Sequence, residues 1–234
     1  MAYTLTYTLI NNNTAYEVTG YSGSPEEVVI PSTYEGLPVT SIGNNAFAYC
    51  DGLKSVVIPD SVTRIGASAF YNCYSLTSVV IPDSVTRIGA SAFENCDGLK
   101  SVTIPDSVTS IGTYAFAYCD GLTSVTIPES VTFIGGYAFK MCARLRSVIL
   151  LNPSPAQLAS GAFDAISENN TFYCLSSAIE NYKTATNWNN FVNKFVANDI
   201  GLYFAMNAIA QKKYMHGVIK AAITEALNAT HKSQ

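Results

Sequence analysis

Cysteine stands at 50, 73, 96, 119 and 142, five thiols at even intervals of 23 residues. Thiols in such an array suit a disulfide framework, a soft-metal site or a column of buried apolar side chains. A metal needs converging ligands, and no two of these cysteines fall within one turn of the period. Neighbouring turns about 4.8 Å apart are within reach of a disulfide, but equivalent side chains of successive turns project in parallel rather than toward each other. Five is also an odd number. The spacing therefore predicts a ladder of buried, reduced thiols at Cys50, Cys73, Cys96, Cys119 and Cys142, with Cys174 a separate core residue.

The other groups that could do chemistry are sparse. Asp60, Asp83 and Asp106, with Glu129 in the same phase, each follow an Ile-Pro pair. Such a row invites calcium, yet a carboxylate directly after a corner proline more simply caps backbone N–H groups in an Asx-type turn. The two histidines, His216 and His231, lie 15 residues apart, with no HExxH or CxxC nearby. Glycine-rich phosphate loops are absent. No arrangement supports nucleophilic or acid–base catalysis, so the chain is expected not to be an enzyme and to need no cofactor or metal.

Composition narrows the class further. The chain has 234 residues, 48% hydrophobic and 13% charged, against a usual charged share of roughly 25%. A disordered chain would need low hydrophobicity and high charge. A net charge of −4 and pI of about 5.1 speak against nucleic acid as a partner. No run of 18 apolar residues occurs, so no membrane insertion through a helix is expected. The opening MAYTLTYTLINNNTAYEV has neither a basic segment nor an unbroken apolar one, so no secretory signal is expected in it. Either the sequence is a mature fragment or export by that route is not used.

The elements that position these groups come from one repeat. Ile-Pro recurs at 30, 58, 81, 104 and 127, Ile-Gly at 42, 65, 88, 111 and 134, and Phe at 47, 70, 93, 116 and 139. The segment IPDSVTRIGASAF occurs twice unchanged, at 58–70 and 81–93. Within a unit, Leu53, Val56 and Ile58 alternate as a short strand with one buried face, and Pro59 ends the ladder. Val62 and Ile65 begin a second inward run, and Ala69, Phe70 and Cys73 close the turn. A single unit leaves both ends wet, so the units must stack into a solenoid.

Units such as LKSVVIPDSVTRIGASAFYNC resemble the BspA-like, or Treponema pallidum-type, leucine-rich repeats, and the resemblance covers about 30–197. It extends to SPEEVVIPSTYEGLPVTSIGNNAF, like that family's opening unit, and to TFYCLSSAIENYKTATNWNNF, like its closing strand and helix. The resemblance implies an α/β-type repeat solenoid with a parallel sheet on one face, an N-terminal β-hairpin cap and a helical C-terminal cap. It implies non-catalytic adhesion or protein binding at a bacterial cell surface or outside the cell.

The expected organisation is a hairpin cap over 1–29, repeats over 30–150, a degenerate last repeat and closing cap over 151–197, and a non-repeat tail over 198–234. Alternating YTLTYTLI, a polar NNN turn and TAYEVTGY mark the hairpin, while Trp188, Phe191 and Phe195 are placed to roof the last turn. The first 50 residues carry four acids and no Lys or Arg, whereas the tail carries four Lys and two acids. Ile219, Ala222, Ile223, Ala226 and Leu227 give the tail an amphipathic helical pattern, a candidate for self-association or attachment. Its stretch IAQKKYMHGVIK is similar to short Tyr-x-x-Gly-Val segments of phage tail and fibre proteins, so the alternative function is a virion component that displays the solenoid.

Surface residues supply the candidate site. Outward strand positions read Lys54, Thr77, Lys100, Thr123 and Arg146, then Val57, Val80, Thr103, Thr126 and Ile149. The first row alternates charge with threonine, which relieves repulsion, and the second is a β-branched ribbon. Tyr71, Tyr74, Tyr114, Tyr118 and Tyr137 cluster near the Ala-Phe-x-x-Cys corner as candidate contacts. A protein or glycan is the expected ligand.

Overall fold

A computed structural model describes residues 3–198; the tail expected to mediate association lies, beyond Asn198, outside the described residues. Each turn lays one three- or four-residue strand on the one below. Ser55–Val57, Ser78–Val80, Ser101–Thr103, Ser124–Ile127 and Ser147–Leu150 pair parallel with no slip, so Val56, Val79, Val102, Val125 and Val148 form one inward column. Glu27–Val29 extends this front sheet at one end, and Thr171–Cys174 and Phe195–Ala197 extend it at the other, giving eight strands.

The second inward run is itself a sheet. Arg64–Ile65, Arg87–Ile88, Ser110–Ile111, Phe133–Ile134 and Gln157–Leu158 form a parallel back sheet of two-residue strands. Flanking bonds reinforce it, Thr86 N–H to the Thr63 carbonyl at 3.1 Å and Gly89 N–H to that of Ile65 at 3.0 Å. The backbones approach so closely that a Cβ on Gly89 would lie 2.6 Å from Gly66 backbone atoms. The recurring Ile-Gly pair is thus a packing requirement of this sheet.

The third side has no strands, yet its backbone is paired as well. Ser68, Phe70 and Asn72 donate N–H bonds of 2.8–2.9 Å to the carbonyls of Ala90, Ala92 and Glu94 one turn on, and later turns repeat the pattern. Two residues per turn take left-handed conformations, for example Ser68 and Asn72, Ser91 and Asn95, and Tyr114 and Tyr118. Between the sheets, Phe47, Phe70, Phe93, Phe116, Phe139 and Phe163 stack with centroids 5.1–5.4 Å apart and planes within 8°.

Both ends of this stack are closed by aromatic rings. Tyr3–Ile10 and Ala15–Gly23 form the hairpin, the second strand pairs with Leu37–Ile42, and Tyr21 stacks on Phe47 at 5.7 Å. The Tyr3 hydroxyl accepts the Val29 N–H at 2.9 Å and so covers the front-sheet edge. The longer first interval is a small hairpin, Thr33–Tyr34 against the start of Leu37–Ile42, turning through left-handed Glu35 and Gly36. At the far end the helix Ile179–Thr184 and the turn of 3-10 helix Trp188–Lys194 lay Trp188, Phe191 and Phe195 over Phe163 and Phe172. The buried Trp188 indole donates to the Ala156 carbonyl at 2.7 Å, and the Tyr182 hydroxyl to that of Asn152 at 2.8 Å.

Candidate binding surface

The front-sheet pairing turns scattered sequence positions into continuous rows. Val57, Val80, Thr103, Thr126 and Ile149 are neighbours in register on its outer face, half-buried except for the exposed Val80. Register adds three members that the repeat alone did not indicate: Val29 at one end and Tyr173 and Val196 at the other. Alternation in TFYC and FVA carries that signal, but those segments fall out of the 23-residue phase.

Beside this ribbon, Lys54, Thr77, Lys100, Thr123 and Arg146 are all exposed. Backbone bonds carry the row from turn to turn, with Thr77 N–H donating to Lys54, Lys100 to Thr77, Thr123 to Lys100 and Arg146 to Thr123. Lys54 differs from the other cations. Its ammonium reaches Glu26 of the cap at 2.8 Å, and this bond holds the Glu26 carboxyl below its ordinary range while raising the lysine. It belongs to the junction with the cap, which leaves Lys100 and Arg146 as the cations of the row proper.

The structure divides the tyrosines into separate groups. Tyr71 meets the exposed Tyr49 edge-on at 5.4 Å, and burial raises the Tyr71 hydroxyl. Tyr114 stacks on Tyr137 at 5.0 Å, and Lys140 sits over Tyr137 at 5.0 Å and over Tyr118 at 5.9 Å. Tyr74 is exposed in the phase that three other turns fill with Asp51, Asp97 and Asp120. Between the two groups the same corner carries Asn72 and Asn95, joined through their side chains at 2.7 Å.

The thiol column has a specific geometry. Cys73, Cys96, Cys119 and Cys142 each donate to the carbonyl of the phenylalanine one turn back, Phe47, Phe70, Phe93 and Phe116, at 3.1–3.3 Å. Cys50, with no complete turn beneath it, lies 3.9 Å from the Pro25 carbonyl. Burial pushes the Cys73 and Cys142 thiols up to about 12, and those of Cys96 and Cys119 are also raised well above their ordinary value. Protonated thiols in a dry column are weak nucleophiles and weak metal ligands. At the Ile-Pro corners, serines link the turns: Ser107 donates to the Val85 carbonyl and Ser130 to that of Val108, at 2.7 and 2.8 Å.

With this geometry established, likeness to known proteins is specific. Residues 40–170 match the BspA type leucine rich repeat region in six copies. The chain is similar to the Treponema pallidum leucine-rich repeat protein, 31% identical with a TM-score of 0.63, over 81% of this chain and 92% of that one. It is also similar to a leucine-rich repeat protein from Bacteroides ovatus, 31% identical with a TM-score of 0.61, over 73% of this chain. It covers 53% of that protein, about half its length. No curated protein matches the chain.

Proposed function

Since the chain belongs to the BspA-type leucine-rich-repeat family, we propose that it is a binding module, acting at a cell surface, whose contact face is the outside of the front sheet. Members of such families are generally non-enzymatic. The observation that carries the reading is the unbroken eight-residue ribbon from Val29 to Val196, bordered by Lys100 and Arg146. Its β-branched side chains sit rigidly on a sheet, so a partner orders few rotamers on docking. Threonines in both rows supply hydroxyls for polar contacts, and the alternating cations suit an acidic protein segment. Near-identical turns offer the same contact repeatedly, which favours a repetitive or extended ligand, bound through many weak contacts.

The test screens the full chain on a displayed peptide library and on a glycan array, beside V80K/T126K on the front sheet and T109K/T132K on the back sheet. Ligands that bind the wild type and the back-sheet variant, but lose at least tenfold on V80K/T126K, support the front face. Ligands insensitive to both V80K/T126K and T109K/T132K would move the site off both sheets, first to the tyrosine corner.

A further inference from the structure

On the back sheet, register brings together residues that the sequence keeps 23 positions apart. One outer row reads Ser41, Arg64, Arg87, Ser110, Phe133 and Gln157. Arg64 and Arg87 are directly paired and exposed. Strand spacing puts their backbones about 4.8 Å apart. Elsewhere among the described residues, neighbouring turns do not carry cations in register, since the front row separates them with Thr77 and Thr123. Like charges directly opposite each other are unfavourable. Among the described residues, neither guanidinium takes part in an ion pair. The nearest carboxylate in the row, Glu17, lies beyond Ser41 and accepts the Ser41 hydroxyl at 2.6 Å.

Two guanidinium forks side by side match the oxygens of a tetrahedral anion, which one fork or both can grip bidentately. Beyond them the row continues with the half-buried Ser110 hydroxyl and then Phe133, a phenyl ring 36% exposed on a sheet. Thr63, Thr109 and Thr132 run beside the row, and each donates its hydroxyl to the preceding turn's threonine carbonyl. Their lone pairs are left to accept from a ligand hydroxyl. The row therefore offers an anion grip at one end, an apolar platform about 9–10 Å away, two strand spacings on, and acceptors alongside.

We propose that this row binds a sulfated glycan, with a sulfate ester held by Arg64 and Arg87 and a sugar ring stacked on Phe133. The row holds a single arginine pair, with Ser41 on one side and Ser110 on the other, so it suits a sparsely sulfated polymer rather than a densely charged one. This site lies on the opposite sheet from the proposed protein-contact face, so either can fail without the other.

The experiment measures binding of the full chain to lightly substituted dextran sulfate, to unsubstituted dextran and to inorganic sulfate at low and physiological salt. R64S/R87S places in both turns the residue that Ser41 and Ser110 already hold, so the sheet register has a native precedent. Dextran sulfate is expected to bind the wild type, to lose at least tenfold on R64S/R87S, and to lose severalfold on F133S. Its salt dependence should fall by about two released counterions in R64S/R87S. Unchanged binding by R64S/R87S, or an equal loss in K100S/R146S on the front sheet, overturns the site. Inorganic sulfate binding as tightly as the polymer, with F133S unaffected, overturns the glycan assignment.

Discussion

Raising the pH from about 8 to about 10 should destabilise this protein steeply, and the thiol column sets the size of the effect. Burial pushes Cys73 and Cys142 up to about 12 and Cys96 and Cys119 well above 9.0, the value an exposed thiol takes in the unfolded chain. Above that value the unfolded chain binds fewer protons than the folded one, so stability falls as pH rises. Each thiol contributes full stabilisation below pH 9 and loses about 1.4 kcal/mol per pH unit between its unfolded and folded values. Four thiols together lose about 5–6 kcal/mol per unit, comparable to the entire stability of many domains, roughly 5–15 kcal/mol. Urea titrations followed by circular dichroism at about pH 8, 9 and 10 read the slope directly. Alkylation with iodoacetamide, counted by mass spectrometry, should go from none of the column to all of it in one step with unfolding. Cys96→Ala removes one titrating group, so its stability should fall with a slope about 1.4 kcal/mol per pH unit shallower than wild type, whatever it costs at neutral pH. Thiolate absorbance that develops near pH 9 while the circular dichroism stays native would refute the reasoning, as would an unchanged slope in Cys96→Ala.

Gly89→Ala should destabilise by about 2–4 kcal/mol, because its Cβ meets Gly66 and Ala67 backbone atoms at 2.6–2.7 Å and neither can rotate away. Gly52→Ala, with its nearest atom at 3.9 Å, should change urea stability by less than about 0.5 kcal/mol and serves as the control. Tyr49→Asn should raise the melting temperature, since Tyr49 is 66% exposed at φ 61° where the next two turns hold Asn72 and Asn95. The gain expected is up to about 1 kcal/mol, from a residue better suited to left-handed backbone, and a lower melting temperature would show that the Tyr71 contact outweighs it.

What a 23-residue period determines by itself is which side chains are inside. A residue at one phase occupies the same place in every turn, so apolar type at that phase predicts a buried column, and Leu, Val, Ile, Phe and Cys all form one. The same logic makes the strand-face candidates and the closing aromatic lid legible, because each depends on a residue's own position and on short alternation. Contacts between turns are a different matter. The back sheet has only two residues per strand, too short for any alternation to be read, and it exists because bonds from Thr86 and Gly89 reach the carbonyls of Thr63 and Ile65. The period predicts a column of buried thiols but names no partner for them, and the partner of Cys96 is the Phe70 carbonyl 26 residues earlier. Lys54 was one of five equivalent positions until the parallel pairing of Glu27–Val29 with Ser55–Val57 placed Glu26 against it. Arg64 and Arg87 were two ordinary surface residues in a duplicated segment, and only the parallel register of the back sheet makes them neighbours. Burial follows from composition at a phase. Which group meets which follows from the direction of each backbone N–H and C=O, and that is fixed only when the turns are stacked.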